Sequence, residues 1–207
     1  MQLKELSERA GVSAASIKYY LREGLLPAGE VVHATRAEYS DRHVSRLQLI
    51  QALRKVVGLN TEQIRNILRL ADGGAPRLEL LAAVQRTVLC LNASSTERGD
   101  IRTEAGDAVV RLRTWPDAPS DARNALNEHV SQMESLGISV PLELLDAYSK
   151  AVDDIGVRDI AATTAPDDVN QLIMTAAVGM HLHSQLVLKL LALAQASHAI
   201  RRYEPGT

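Results

Sequence analysis

The apolar residues of the first 23 positions recur at helical spacing, three or four residues apart. This pattern predicts a short helix over residues 3–10 and a second over residues 14–23. Gly11 is expected to end the first helix and Ser13 to cap the second, because glycine tolerates left-handed backbone and a serine hydroxyl accepts a free amide. Two short helices joined by a tight turn form a helix-turn-helix, whose second helix enters the major groove of DNA.

The pattern changes after Gly24 and then returns to helical spacing. Residues 24–40 contain early Pro and Gly residues and the β-prone pair Val31-Val32, which predicts two short strands and a loop, as in a wing. A third helix is expected from Ser40, its N-cap, to a stop at Gly58, and a fourth begins at Asn60. Because these helices carry matching apolar stripes, the core of this head is predicted to close without the rest of the chain.

Four segments of the head occur in the order and spacing of a known family. They are residues 11–27 (GVSAASIKYYLREGLLP), 39–41 (YSD), 44–50 (VSRLQLI) and 58–68 (GLNTEQIRNIL). Over about the first seventy residues the chain resembles the MerR family of bacterial transcription regulators. The resemblance implies a winged helix-turn-helix that binds a near-palindromic promoter operator as a homodimer. It also implies that untwisting and bending the DNA realigns the promoter for RNA polymerase.

The outward face of the second helix supplies the predicted DNA contacts. Cations reach phosphates or base edges, and hydroxyl groups donate to phosphate oxygens. The residues assigned to DNA are Lys18, Tyr19, Arg22 and Arg36, with Ser13 and Ser16 as lesser contributors. A solvated helix face is the alternative interpretation of the two cations on the helix.

The wing and the second helix depart from the family pattern at two places. The wing loop, residues 33–39 (HATRAEY), lacks the usual Gly, and Lys18 stands where the family commonly has Arg. Lys cannot make a bidentate contact, so Lys18 is expected to contribute charge more than base selectivity. Arg36 and His33 can meet phosphate, whereas Tyr39 is expected to pack at the base of the wing.

Charge divides the chain at the end of the head. Residues 1–71 carry eleven Lys and Arg against seven Asp and Glu, which gives this part a net charge of +4. Because the whole chain has a net charge of −2, the remaining residues have a net charge of −6. A basic head on an acidic body is expected if only the head touches a polyanion. The chain has 207 residues with 46% apolar and only 3% aromatic residues, which favours helices over sheet. The fold class is therefore predicted as mainly α.

The remainder of the chain is predicted to be a bundle of four to six helices. Residues 72–76 (DGGAP) form a linker between the head, 1–71, and a dimerisation segment, 77–96, whose helix runs to about residue 92. Its seam is Leu81, Val84, Val88 and Leu91, at heptad spacing. Further helices are expected at 104–113, 121–136, 141–155 and, as more than one helix, 167–203, within an effector-binding and dimerisation domain spanning 97–207. The last region is apolar on two sides, which predicts that both sides are covered.

The body offers little metal or catalytic chemistry. The single cysteine, Cys90, excludes an internal disulfide and a thiolate metal cage within one chain, and its apolar neighbours predict that it is buried. His181 and His183 diverge by about 200° on a helix, which is poor geometry for a metal chelate. No metal, cofactor or catalytic residue is predicted. A small organic effector is the remaining ligand class, and its candidate residues are Trp115, Tyr148, Met174, Met180 and His181, with core packing as the alternative role for each.

The sequence therefore predicts a cytoplasmic, homodimeric DNA-binding transcription regulator, not an enzyme. The start of the chain does not have the pattern of a signal peptide, and polar residues interrupt the most apolar stretch, 172–194, so no membrane partner is expected. One alternative is an architectural DNA-binding protein that senses nothing and uses its helical body to dock a protein partner. Another is a repressor that never distorts its promoter.

Overall fold

A computed structural model describes residues 1–33, 36–91, 102–163 and 166–204. Within these ranges the chain is mainly helical and has a two-stranded antiparallel sheet, so the predicted fold class is confirmed. In chain order the elements are α1 (Leu3–Ala10), α2 (Ala14–Arg22), β1 (Glu30–His33), β2 (Arg36–Glu38), α3 (Asp41–Ala52), α4 (Thr61–Asp72), α5 (Arg77–Val88), α6 (Glu104–Arg113), α7 (Asp121–Ser135), α8 (Leu142–Ala162) and α9 (Val169–Tyr203).

Local signals place the helix boundaries of the head where the sequence predicts them. Gly11 ends α1 in the left-handed conformation, with φ of 63°. Asn60 and Gln63 form a reciprocal capping box at the start of α4, with both hydrogen bonds at 2.9 Å. Between α3 and Gly58 the helix continues through a π-helical turn, Leu53–Val57, that ends at this left-handed glycine. These caps satisfy backbone groups that helix ends leave without partners.

The head shares its hydrophobic core with the two ends of the body. Ile173 and Ala177 of α9 are fully buried, and so is Val84 of α5, in the same cluster as Leu47 and Ile50 of α3. The start of α9 contacts α3, the π-helical turn and α5. The prediction that the core of the head closes alone is therefore wrong, because residues more than a hundred positions downstream complete it. The division into the predicted domains stays a prediction.

Polar links reinforce the contact between head and body. The Ser45 hydroxyl of α3 donates to the Asp168 carboxylate at 2.9 Å, and Asp168 also caps α9 by accepting from the Gln171 amide at 3.2 Å. Buried Arg46 pairs with Asp72 at the end of α4. The first bond joins α3 to the start of α9, and the second holds α3 against the end of α4.

The helices α6, α7 and α8 form a second packing unit held largely by arginine and carboxylate pairs. Arg102 bonds Asp117 at 2.6 Å, and this hydrogen bond lowers the pKa of the Asp117 carboxyl below its usual value. Arg123 pairs with Asp107, and the Trp115 indole donates to Asp153 on α8 at 2.7 Å. Charged side chains of this region therefore form ion pairs with one another within the body.

The long final helix has two different halves. Its first three turns bury one face, which includes Leu172, Ile173, Ala176 and Ala177. The large apolar side chains further along are about half exposed: Leu182, Leu186, Leu188, Leu190, Leu191, Leu193 and Ile200. By length and composition alone α9 is also long and apolar enough to cross a membrane. The sequence predicts that both apolar sides of this region are covered. Within one chain, the apolar side chains in the second half of α9 remain partly exposed.

Several predictions about the body are corrected. The helix expected up to residue 92 ends at Val88, and Cys90 is exposed with φ of 52°, because the chain turns there instead of continuing into the core. The helix expected over 141–155 continues through Gly156 to Ala162. The helices expected over 167–203 are one helix of 35 residues. The predicted dimerisation segment extends to residue 96, and its residues 92–96 lie outside the described ranges.

We predict that Ile173→Ala lowers the free energy of unfolding by about 2–5 kcal/mol, because it leaves a cavity in the core that the head and α9 share. The measurement is urea denaturation followed by far-UV circular dichroism and by Trp115 fluorescence. The matched control is Ile138→Ala, at a half-exposed position before α8, which should change the value by less than about 0.5 kcal/mol. Equal losses in both variants would contradict the shared core.

Candidate nucleic-acid interface

The second helix of the head presents two exposed cations on its outer face. Ile17 and Tyr20 are buried on the inner face of α2 against the core. Lys18 is exposed, and the side chain of Arg22 is 73% exposed one turn further along. Because inner and outer residues alternate at helical spacing, burial of the inner pair fixes the direction of the outer pair.

The two serines predicted as lesser DNA contacts form the start of α2. The Ser13 hydroxyl accepts the Ser16 amide at 3.1 Å, which is the N-cap bond. The two hydroxyl groups lie 2.9 Å apart and share a hydrogen bond. Ser13 is exposed and Ser16 half-buried, so both lie at the rim of the outer face while holding the first turn of the helix.

Tyr19 connects the outer face of α2 to the fourth helix. Its hydroxyl lies 3.3 Å from the Thr61 hydroxyl at the start of α4, and its ring meets Tyr20 edge-on at 5.6 Å. The Arg22 guanidinium stands 5.4 Å from the centre of the Tyr19 ring. A cation over an aromatic face is held in place by the ring quadrupole. The contact of Tyr19 with Thr61 was not predicted, because no local sequence signal identifies a hydrogen bond between residues 42 positions apart.

The carboxyl end of α2 is clamped by Arg65 of α4. Its guanidinium donates to the Glu23 carbonyl at 3.2 Å and to the Glu23 carboxylate at 2.9 Å. Arg22 lies 3.7 Å from the same carboxylate and is far more exposed. Arg65 therefore neutralises the acid beside Arg22, which leaves the charge of Arg22 directed to solvent. This clamp was also missed by the sequence analysis.

The wing is a short antiparallel hairpin formed by β1 and β2. Val31 pairs with Ala37 and Glu30 with Glu38, with a register shift between Val31 and His33. The loop residues 34–35 and the side chains of His33 and Arg36 lie outside the described part of the structure, so the predicted contact of Arg36 with phosphate stays a prediction.

Tyr39 holds the base of the wing. Its amide and carbonyl bond the carbonyl and amino group of Met1, each at 2.8 Å, and its ring meets His43 edge-on at 5.2 Å. The expected packing role of Tyr39 is confirmed by its contact with the core.

The predicted effector residues do not meet in one place. Trp115 bonds Asp153, Tyr148 is 63% exposed, and Met174 packs against the core shared with the head. An apolar groove of about 400 Å³ lies between α5, α8 and α9, and of the five candidates Met180 alone lines it. His181 is half-buried outside this groove, and the histidine in the groove is His183, which bonds Asp159 at 2.5 Å.

The predicted dimer seam packs largely inside its own chain. Val84 is fully buried, and Leu81 and Val88 pack partly against the same core. Leu91 lies beyond the end of α5. No group of three or more His, Cys, Asp or Glu residues placed to hold a metal occurs in the described residues.

Comparisons with known proteins agree with the geometry of the head. Residues 1–71 match the family model described as the MerR HTH family regulatory protein. The mercuric resistance operon regulatory protein of Serratia marcescens is 30% identical over 67 residues, 32% of this chain and 46% of that protein. The heavy metal-dependent transcription regulator 2 of Rhizobium meliloti (strain 1021) is 28% identical over 99 residues, 44% of this chain and 67% of that protein.

A solved structure resembles the whole chain. It is the crystal structure of a candidate transcriptional regulator, SCO5550, from Streptomyces coelicolor A3(2), with a TM-score of 0.65 and 28% sequence identity. The likeness covers 98% of each chain. The sequence matches to the curated relatives fall short of their full length, whereas this structure extends the likeness through the helical body.

We predict that Ser13→Ala lowers the free energy of unfolding by about 1 kcal/mol, because the Ser16 amide loses its N-cap acceptor. Urea denaturation measures the change. Ser16→Ala is the control, since it leaves the cap bond intact, and it should change stability by less than about 0.5 kcal/mol. A Ser13→Ala variant as stable as the parent would show that the cap bond contributes nothing.

Proposed function

We propose that this chain, whose first 71 residues match the MerR-type helix-turn-helix domain, is a MerR-family transcription regulator that binds promoter operator DNA as a homodimer. The observation that carries this proposal is the outer face of α2, where Lys18 and Arg22 are exposed, Arg22 lies over the Tyr19 ring and Arg65 pairs with Glu23. This arrangement supplies positive charge at the surface that the helix-turn-helix presents to the major groove.

The proposed DNA contacts are divided by their chemistry. Lys18 and Arg22 neutralise phosphates, Arg22 can also reach a guanine edge, and the Tyr19 ring orients the guanidinium. Ser13 and Ser16 donate to phosphate oxygens at the start of the helix, and Arg36 of the wing extends the contact along the backbone. Two heads related by a two-fold axis then read the two halves of a near-palindromic operator.

Bending and untwisting of the operator is the proposed mechanism of activation. A promoter whose −10 and −35 elements are badly aligned becomes usable by RNA polymerase when the DNA between them is distorted. RNA polymerase is therefore an indirect partner, reached through the DNA. The protein is expected to act in the cytoplasm, on the nucleoid. A repressor that binds without distortion is the alternative, and in-vitro transcription from the bound promoter distinguishes the two.

We also propose that any effector is a small organic molecule held by the helical body. Two relatives are named for mercury and heavy metals, but this chain has a single cysteine, which cannot form a thiolate pair within one chain. An architectural protein without an effector is the alternative. Thermal melting of the full chain against a library of small molecules distinguishes them, because a specific ligand raises the melting temperature.

We predict that Arg22→Ala weakens binding to the DNA upstream of the gene for this chain and lowers the slope of log affinity against log salt by about one. The loss follows from removing one phosphate contact. The measurement is fluorescence anisotropy with a duplex defined by footprinting, at several salt concentrations.

The matched control for this prediction is Arg111→Ala, an exposed arginine of α6 in the body. It should leave both the affinity and the salt slope unchanged. Equal slopes for Arg22→Ala and the parent chain would remove Arg22 from the DNA interface, and failure of the parent chain to bind any duplex would contradict the proposed function.

A further inference from the structure

The groove between α5, α8 and α9 has the size and the lining of a site for a small organic molecule. Its volume of about 400 Å³ lies within the range of roughly 300–1,000 Å³ that such sites occupy. The apolar residues of its walls are aliphatic side chains and one methionine: Leu89, Val152, Ile155, Ile160, Met180, Val187 and Leu188. These walls fit a ligand with an aliphatic body.

A histidine and an aspartate supply the polar end of this groove. Nδ1 of His183 lies 2.5 Å from Oδ1 of Asp159. Because an ionised carboxylate can only accept a hydrogen bond, the proton of this bond belongs to Nδ1, and Nε2 of the neutral imidazole is then an acceptor. Nε2 has no hydrogen-bond partner among the described residues. The groove therefore offers one acceptor to a ligand that carries a hydrogen-bond donor.

The charge of the groove favours a neutral donor. Asp159 is the one acid among the residues described as lining it, and its side chain is 25% exposed. A carboxylate on the ligand would be repelled by this acid. A cation would lose its water in an aliphatic groove, beside an acid that already has the His183 N–H as its partner. A hydroxyl group has neither cost.

We propose that this groove binds a neutral aliphatic alcohol, with its chain against the walls and its hydroxyl group donating to Nε2 of His183. The proposal names the position and the chemical class of the small organic effector, and in calling the ligand an effector it rests on the proposed function.

The groove lies where a ligand can act on the head. The helices α5 and α9 are buried in the core of the head through Val84 and Ile173, whereas α8 belongs to the second packing unit. Arg77 at the start of α5 donates to the Thr163 carbonyl at the end of α8 at 2.5 Å. A ligand in the groove touches both parts at once and so changes how firmly the second packing unit is held against the helices that carry the head.

The first test compares probes by isothermal titration calorimetry on the full chain. We expect 1-octanol to bind with a dissociation constant below about 1 mM. Its isomer 1-methoxyheptane, which has no O–H, should bind at least about tenfold more weakly, because Nε2 is left without a donor. Equal affinities for the alcohol and the ether would overturn the proposal, and so would octanoate or octyltrimethylammonium binding as tightly as the alcohol.

A pair of histidine variants tests the acceptor. His183→Phe should bind 1-octanol and 1-methoxyheptane equally, because it keeps a ring and removes Nε2. The matched control is His181→Phe, on the same helix but outside the groove, which should keep the preference for the alcohol. The ratio of the two affinities does not depend on how much of a variant is folded. A preference that survives in His183→Phe, or is lost in both variants, would overturn the assignment.

A pair of tryptophan variants tests the groove itself. A Cβ added at Gly156, which lines the groove, would meet nothing within 4 Å. Gly156→Trp should therefore weaken 1-octanol binding at least about tenfold, because the indole takes the space of the ligand. Ala147→Trp adds the same side chain at an exposed position half a turn away around α8 and should leave binding unchanged. Equal affinities in the two variants would place the alcohol elsewhere and overturn the proposal.

DNA binding is read separately by fluorescence anisotropy with the footprinted duplex. Saturating 1-octanol should change the dissociation constant of the parent chain at least about fivefold and leave that of Gly156→Trp unchanged. An unchanged constant in the parent would overturn the effector role of the groove. A chain that binds 1-octanol and no duplex would refute the proposed function and leave the groove standing, whereas duplex binding without 1-octanol binding would do the opposite.

Discussion

The insertion of the first turns of α9 into the head is the contact on which the rest of the structure depends. Ile173 and Ala177 reach the core formed by α3 and the π-helical turn, although they follow that turn by more than a hundred residues. The small side chains of Ala176 and Ala177 allow the helix backbone to approach closely. Because this contact is apolar and fully buried, it fixes the start of α9 against the head and thereby the direction in which the helix leaves it.

That contact decides what α5 can do. Leu80 and Val84 of α5 are buried in the same core as Ile173 and Ala177 of α9, so the apolar face of α5 serves the single chain. The junction also encloses polar atoms without hydrogen-bond partners, among them Arg46 Nη1 and Asn170 Oδ1. The helix α9 is accordingly divided into a first half that packs into the shared core and a second half whose large apolar side chains are about half exposed.

The parts of this fold that sequence predicts well are those fixed by neighbouring residues. The left-handed Gly11, the Ser13 cap and the Asn60–Gln63 box each involve residues within four positions, and each occurs where expected. Helical periodicity likewise identified the apolar faces. It could not say what covers them, which is why the head was expected to close alone and Cys90 to be buried.

At Gly156 the sequence pattern predicted the end of a helix that in fact continues. A glycine inside a helix costs only about 1 kcal/mol relative to alanine, so the tertiary contacts of α8 carry the helix through a residue that the sequence suggested as its end. In the candidate site the exposed cations followed from the periodicity of α2. The bonds from Tyr19 to Thr61 and from Arg65 to Glu23 join residues 42 positions apart, and no sequence spacing indicates them.

These two long-range bonds bear on how the outer face of α2 keeps its positive charge although Glu23 lies next to Arg22. Glu23 lies next to Arg22 and would, if unpaired, hold that guanidinium in a local ion pair. Arg65 contacts both the carboxylate and the carbonyl of Glu23 and is more buried than Arg22, so its pairing is screened less by solvent. Arg22 keeps only a longer contact of 3.7 Å with that carboxylate, while its guanidinium also lies over the Tyr19 ring and its side chain is 73% exposed. Carboxylates of the body likewise pair with arginines of the body, as Asp107 does with Arg123.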